Sequence, residues 1–389
     1  MIKPTDVSLP TRVDWLFSQL RRLLHLPTGA RRNGKAERAF VAMPLLGLSI
    51  LAFVIMDARS ALLPARDILQ GGEIVWADGA VPIRTSFYGV KWLDDLLSVM
   101  NMFFVSSIYG YDYVAHAQAL SFLSDAGVLL AVWLIESLRS KEALWFLRVP
   151  WVFALAGQLL GMGIVCPFYY FLHYVFSPAT VRIPSTANQR QVLAAFSAVV
   201  VAFSFPASAM FFWPRLETRQ AWLFLWQLYP LSMAVTYAVA SLVLPESPIR
   251  LSSTAATRLC IACLSGLGAT VWLWTTHGSL MGIAPVFIPT AIPRFTLPDF
   301  TAFCRQFLSW DEVFVFGSSF LWLAYLINDL DRPGPYGWQL VLLGTIICTT
   351  TLGPGTTVGL GWLLREELLT KKSKSKKQGL AKHLQSCRR

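Results

Sequence analysis

Long apolar runs alternate with polar stretches along this 389-residue chain. The first run, residues 39–56, holds eighteen residues without a charge. A helix of that length spans a hydrocarbon core of about 30 Å. Seven similar runs follow, at residues 117–138, 149–174, 192–213, 221–244, 259–275, 313–327 and 337–364. The pattern predicts an all-α fold, a polytopic transmembrane helix bundle of about eight spans.

Two segments depart from this simple pattern. Residues 92–109 are apolar on one side but carry Asp94, Asp95 and Asn101. They are too polar for a helix that faces lipid and too apolar for a free loop, which predicts a re-entrant or lumenal amphipathic segment that lines a cavity. In the last run, residues 353–355 read Gly-Pro-Gly, which predicts a kinked span.

The composition supports a membrane protein, since 14% of the residues are charged whereas soluble domains carry about 25%. The net charge of +11 concentrates at the two ends. We therefore predict a basic cytosolic arm at residues 1–38, a transmembrane domain at 39–365 and a basic cytosolic tail at 366–389. Basic flanks of this kind face anionic lipid, so the predicted partners include the bilayer and exclude nucleic acid.

The loop charges predict which side each loop occupies. Arg139 and Lys141 after the second run, and Arg219 after the fourth, mark cytosolic loops together with both termini. Eight spans then place Arg190 and Arg258 on the opposite side. The sequence shows no symmetric halves and no matched pair of broken helices, which argues against a transporter.

Several catalytic motifs are missing from the sequence. It lacks HExxH, GxSxG, a nucleotide-binding glycine loop and the aspartate-rich motif that binds magnesium–diphosphate. Cys260 and Cys263 form a CxxC pair, but no second pair completes a zinc site. These absences favour acid–base chemistry on a neutral, lipophilic substrate, with no metal and no cofactor.

Three carboxyl side chains are the candidate catalytic acids: Asp94, Glu136 and Asp311. A carboxyl group removed from water favours its neutral form and can protonate an epoxide or an alkene. Each candidate has a structural alternative. Glu136 can pair with Arg139 one turn later, and Asp311 can be an N-terminal acid of the short span at 313–327. Asp94 and Asp95 point about 100° apart on a helix, so at most one faces a cavity.

The third run combines polar and aromatic residues in a way that suggests a binding pocket. Gln158 lies among glycines that allow close helix approach, and residues 166–174 combine a proline, aromatic rings and His173. Aromatic faces stabilise cations, as a carbocation pocket requires. The alternative is an aromatic belt with a histidine at its wet end. The candidate substrate-binding residues are Asn101, Gln158, Tyr169, Tyr170 and His173.

Several strings in this order carry a family resemblance: Thr85 to Leu97 with Asn101 to Phe104, then Glu136, Pro167 to Pro178, and Gln306 to Asp311. Together they resemble fungal polytopic, membrane-bound terpene cyclases of the ascofuranone-type meroterpenoid pathways. The resemblance runs from about residue 40 to residue 365 and leaves out both basic ends.

The resemblance implies a cofactor-free cyclase of the endoplasmic reticulum membrane. A protonated carboxyl group would open the terminal epoxide of a prenylated substrate, and a hydroxyl or an alkene would capture the cation. A membrane-bound P450 of the same pathway is the expected partner. Two alternatives stay open: a membrane epoxide hydrolase acting on a polyketide, and a non-enzymatic transporter or scaffold.

Overall fold

A computed structural model describes residues 34–57, 59, 62–76, 79–139, 144–177, 188–246, 252–277, 282–293, 300–330 and 333–386. Most of the predicted basic arm, and Lys141, lie outside these residues. The described chain is predominantly helical, with one pair of strands. Its elements are α1 (Lys35–Ile55), α2 (Leu62–Gly71), β1 (Glu73–Trp76), β2 (Gly79–Pro82), α3 (Lys91–Met102), α4 (Val105–Tyr109), α5 (Tyr113–Arg139), a 3-10 turn (Trp145–Arg148), α6 (Pro150–Leu160), α7 (Met162–Phe176), α8 (Gln189–Val199), a π turn (Val200–Ser204), α9 (Phe205–Phe212), α10 (Leu216–Gln227), α11 (Tyr229–Val243), α12 (Ser253–His277), α13 (Ile283–Phe287), α14 (Phe300–Leu330), α15 (Pro335–Leu352) and α16 (Pro354–Ser386).

The predicted all-α class is confirmed, but the eight spans are not. Among the described residues, five helical stretches are long and apolar enough to cross a membrane: α1, α5, residues 189–212, α12 and α14. Helices α10 and α11 make a sixth crossing only if they are taken as one span, because they meet at an angle of 69°. The two remaining predicted spans have a different form.

The apolar run at 149–174 folds into a helical hairpin rather than one span. Helices α6 and α7 meet at Gly161, which has φ +105°. The rings of Phe153 and Tyr169 lie 4.9 Å apart between centroids. In a straight helix these residues would be about 24 Å apart, so the chain doubles back at Gly161.

The run at 337–364 forms a second hairpin, so the predicted kinked span is wrong. Helices α15 and α16 meet at Gly353, which has φ +90°. The Lys372 Nζ donates to the backbone oxygen of Leu330 at 2.7 Å. Helix α16 thus returns to the end of α14, close to where α15 begins.

The hairpins change the predicted sidedness. Arg258 pairs with Glu367 at 2.7 Å, and Val192 packs with Cys260 near Leu138. Arg190 and Arg258 therefore lie at the same end of the bundle as Arg38 and Arg139, here called the Arg38 end. Arg219 instead donates to the Ile108 backbone oxygen at 2.6 Å, at the far end. The predicted placement of these residues is wrong because the first hairpin, which precedes all three in the chain, returns to its own end.

The far end carries the short sheet and α3. Strands β1 and β2 pair antiparallel from Glu73–Pro82 to Trp76–Gly79. The side chain of Gln220 on α10 accepts from the Arg84 N–H and donates to the Pro82 backbone oxygen, each at 2.7 Å. This clamp fixes the chain that leads into α3, the predicted amphipathic segment, against the bundle.

Candidate active site

The tip of the first hairpin brings a carboxyl group against backbone. The Gly163 N–H at the start of α7 donates to Asp311 Oδ1 at 2.5 Å. A Cβ on Gly163 would lie 3.0 Å from that oxygen and 2.9 Å from the Phe314 Cβ. Glycine at this position therefore lets α14 approach the α7 N-terminus, where free N–H groups favour an acidic partner.

Asp311 is not an N-terminal acid, contrary to one of the alternatives from the sequence. Helix α14 begins at Phe300, so Asp311 and Glu312 lie three turns inside it. Both side chains are buried. Gln118 of α5 donates from Nε2 to Glu312 Oε2 at 2.9 Å. Among the described residues, no lysine, arginine or histidine pairs with either carboxyl group.

Asp311 lines a cavity of about 190 Å³ between α3, the first hairpin, α5 and α14. Its wall is mostly apolar and holds seven aromatic side chains: Phe103, Phe104, Phe122, Phe203, Trp226, Tyr229 and Phe307. Ring faces turned toward one space can stabilise a cation there. Mostly apolar walls with a few convergent polar groups are typical of small-molecule sites.

A polar chain borders this cavity. Gln158 lines the wall and donates to Gln227 Oε1, and Gln227 Nε2 donates to Asn101 Oδ1 at 3.0 Å. The indole N–H of Trp226, also in the wall, has no hydrogen-bond partner among the described residues. Sequence reasoning found Gln158 and Asn101 but missed Gln227 and Trp226 as site residues.

Glu136 lies in a different buried cluster, at the Arg38 end. Its Oε1 accepts from Arg365 at 2.6 Å and from the Trp362 indole at 2.8 Å. Arg139 lies 3.7 Å from the same oxygen, as the pairing alternative expected. Two guanidinium groups and an indole N–H stabilise a carboxylate in its charged form. This environment suits an ion pair better than a proton donor.

His173, Tyr169 and Tyr170 belong to the Glu136 cluster and are not in the cavity wall. The Trp322 N–H donates to His173 Nδ1 at 3.2 Å, and His173 Nε2 lies 3.7 Å from Glu136 Oε2. Since Nδ1 accepts, a neutral ring carries its proton on Nε2, toward the carboxylate. The predicted substrate-binding set is thus split, with Asn101 and Gln158 near Asp311 and the other three near Glu136.

Asp94 organises a loop at the far end. Its carboxylate accepts from the N–H of Tyr88 at 2.9 Å and of Gly89 at 3.0 Å, and from Ser86 Oγ at 3.3 Å. These donors, the Tyr88 N–H foremost, lower the pKa of Asp94 below its usual value. Asp95 points away and pairs with Lys91 at 3.0 Å on the exposed face.

The second hairpin tip holds another acid, which the sequence analysis did not single out. Asp125 of α5 is fully buried. A Cβ on Gly355 would lie 2.6 Å from its Cα. The Gly355 and Thr356 amides point toward its carboxylate, but neither reaches hydrogen-bond geometry. A usable sequence signal existed, because both tips read Leu-Gly-x-Gly, at residues 160–163 and 352–355.

Two sequence comparisons relate this chain to known proteins. The family model described as the CtvD domain matches residues 42–370. The FAD-dependent monooxygenase verC1 of Penicillium polonicum is 34% identical over 88% of this chain. This chain spans 44% of the length of that relative.

Two relatives of more similar length are named as cyclases. The terpene cyclase ascI of Acremonium egyptiacum is 25% identical over 68% of this chain and 73% of its own length. The terpene cyclase ctvD of Aspergillus terreus is 23% identical over 74% of this chain and 86% of its own length. No solved structure matches the chain. These matches confirm the resemblance seen in the sequence motifs, and the chain belongs to the CtvD domain family.

Proposed function

We propose that this chain is an integral membrane terpene cyclase that opens and cyclises an epoxidised prenyl chain of a meroterpenoid. The observation that carries the proposal is the aromatic-lined cavity, in whose wall Asp311 supplies the only carboxyl group among the described residues. Membership of a family with two named terpene cyclases supports the reaction class. Five helices apolar enough to cross a membrane support the location.

Asp311 is the proton donor in this proposal, ahead of Glu136 and Asp94. Its Oδ1 is held by the Gly163 N–H, which leaves Oδ2 to carry a proton toward the cavity. Glu136 is paired with arginine, and Asp94 is held as a carboxylate by N–H donors outside the cavity. Of the three, Asp311 alone lies in the cavity wall, and no described cationic side chain pairs with it, so its position favours it as the acid.

The reaction balances without a further reactant. The Asp311 proton moves to the epoxide oxygen while its C–O bond breaks, which leaves an alcohol and a developing cation. An alkene or a hydroxyl of the substrate supplies the electron pair that closes the ring. The proton lost from the closing group restores the acid, so the product is an isomer of the substrate. The rings of Phe307, Trp226 and Tyr229 stabilise the cation.

We also propose that the reaction needs no metal and no flavin in this chain. Three relatives are named FAD-dependent monooxygenases, and this chain covers 44%, 41% and 34% of their lengths. The sequence has no nucleotide-binding glycine loop. We assign flavin chemistry to the remainder of those proteins. A monooxygenase of that class, or a P450, would supply the epoxide to this chain in the endoplasmic reticulum membrane.

The decisive experiment incubates membranes containing the protein with a farnesylated hydroquinone epoxidised at its terminal alkene. Mass spectrometry distinguishes a cyclic isomer, which keeps the substrate mass, from a diol, which gains one water. An isomer that forms in the presence of EDTA and without nicotinamide supports the cyclase. A diol would favour the epoxide hydrolase, and no conversion would leave the transporter or scaffold alternative.

A further inference from the structure

Three leucines belong both to the cavity wall and to the outer surface of the bundle. Leu96 of α3 and Leu159 and Leu160 of α6 line the cavity. Their side chains are nevertheless 42%, 52% and 52% exposed. A side chain that does both lies where the wall between the cavity and the outside is a single residue thick or open. We call this part of the wall, formed by Leu96, Leu159 and Leu160, the leucine mouth.

The leucine mouth lies at the level of the apolar layer, nearer to its far side than to the Arg38 end. Helix α7 runs from Phe176 at the Arg38 end back to Met162, fifteen residues, so the hairpin tip lies about 22 Å from that end. A hydrocarbon core is about 30 Å thick. The outer face of α6 is apolar there as well, since Val152 lies two turns before Leu159 and is also 52% exposed. The mouth therefore faces acyl chains rather than water.

Helix α3 continues this apolar path into the cavity. Trp92, Leu96, Val99 and Phe103 follow one face at helical spacing. Trp92 is 70% exposed, Leu96 is at the mouth, and Val99 and Phe103 line the interior. An exposed tryptophan at the end of an apolar helix is typical of the membrane interface. The face of α3 that carries these four residues has no charged side chain, whereas Lys91 and Asp95 pair with each other beside its exposed start.

We propose that a prenylated substrate reaches the cavity sideways from the bilayer, through the leucine mouth. The identity of the substrate rests on the proposed cyclase function. The route itself is argued only from the residues that line the cavity and from the exposure of the three leucines. The mouth is adjacent to Gly161, where a Cβ would lie 3.5 Å from Asp311 Oδ1. A chain that passes the leucines therefore arrives directly beside the acid.

The test measures access separately from catalysis. The probe is a farnesylated hydroquinone with a diazirine in its prenyl chain and no epoxide. It is added to lipid nanodiscs that contain the full chain with its cavity empty. Photolysis at set times after mixing, followed by peptide mass spectrometry, gives the rate at which cavity residues such as Phe307 become labelled. We expect Leu160→Trp to slow this rate by about tenfold, because a bulkier side chain at the mouth hinders entry and so lowers the association rate.

Two further variants keep the test decisive. Leu160→Ala widens the mouth and should speed labelling, which covers the case that the tryptophan variant does not fold. Leu242→Trp on α11 alters a leucine that is 84% exposed and outside the cavity wall, and should label at the wild-type rate. Unchanged rates in both Leu160 variants, or an equal loss in Leu242→Trp, would overturn the route. Cavity labelling without turnover of the epoxide would reject the cyclase and leave the route standing.

Discussion

The two hairpin tips use the same backbone arrangement and differ in what their acids face. Each tip reads Leu-Gly-x-Gly, turns at a glycine with positive φ, and starts a helix against an aspartate of a neighbouring helix. Asp311 accepts the Gly163 N–H and lines the cavity. Asp125 is fully buried and outside the cavity wall. The tip positions a carboxyl group, and the adjoining cavity decides whether that group can react.

Exchanging each acid for its amide should separate the two tips most strongly. Asp311→Asn keeps the shape but removes the transferable proton, so turnover should fall by about 10²–10⁴-fold, the usual worth of general acid catalysis. Asp125→Asn is the matched control and should retain most turnover. Product formation is measured at equal protein levels in membranes. A comparable loss in Asp125→Asn, with the fold intact, would mean that the tips share one function.

Glu136 sharpens the comparison because it is buried but paired. Glu136→Gln leaves Arg365 with one fewer carboxylate, and breaking a buried ion pair costs about 3–5 kcal/mol of stability. Thermal unfolding in detergent should show this loss, while turnover per folded molecule stays close to wild type. Glu367→Gln, which breaks the half-exposed pair with Arg258, should cost about 1 kcal/mol or less. A stable Glu136→Gln protein without turnover would make Glu136 the acid.

Alanine at the fourth position of each Leu-Gly-x-Gly tip, Gly163 or Gly355, tests how closely the neighbouring helix must approach the tip. A Cβ on Gly355 would lie 2.4 Å from the Asp125 Cβ and 2.6 Å from its Cα. Main-chain atoms cannot rotate away, so Gly355→Ala should cost about 1–3 kcal/mol, the usual range for overpacking. A Cβ on Gly163 would lie 2.9 Å from the Phe314 Cβ and 3.0 Å from both the backbone oxygen and the carboxylate of Asp311. These contacts are longer than those at Gly355, so Gly163→Ala should cost less stability, but it displaces the proposed acid and should lower turnover more. The reverse order in melting and turnover would contradict this assignment.

The smallest effect is expected at Asp94, which lies at neither tip. Its pKa is lowered in the folded protein, chiefly by the Tyr88 N–H. A lowered pKa stabilises the loop above the ordinary aspartate pKa of about 3.9, and this contribution is lost as the pH falls through the folded value. Protection of the Tyr88 and Gly89 amides, measured as the intrinsic exchange rate divided by the observed rate, should therefore fall below about pH 4 in the wild type. Asp94→Asn should show no such step, and an identical step in both proteins would exclude Asp94 as its source.

The apolar pattern predicted where helices form but not where the chain reverses. Residues 150–176 are predominantly apolar, and hydropathy is the same for one span and for a hairpin. The turn at Gly161 and the contact between Phe153 and Tyr169 distinguish the two. The reversal also explains why Arg190 and Arg258 lie at the same end as Arg139. A run that returns to its own end moves each later loop to the side opposite the predicted one.

The site was found in part for a related reason. Asp311 and Gln158 could be picked because polar residues in apolar runs are costly and need a cause. The sequence could not rank Asp311 above Glu136, because Arg365, which neutralises Glu136, lies 229 residues away along the chain. The sequence analysis missed Trp226 because tryptophan is common in apolar helices. Only the structure shows that Trp226 lines the cavity and that its N–H has no hydrogen-bond partner among the described residues.

The contact between Gly163 and Asp311 also has a consequence for biosynthesis. The two residues are 148 positions apart, so the first hairpin leaves the ribosome long before its acid. At about 5–20 residues per second, Asp311 follows by roughly seven to thirty seconds. Until then the Gly163 N–H lacks the partner that it has in the folded chain. Helices α15 and α16 are made later still, so the contact between Gly163 and Asp311 can form before Asp125 and Glu136 meet their partners on α16.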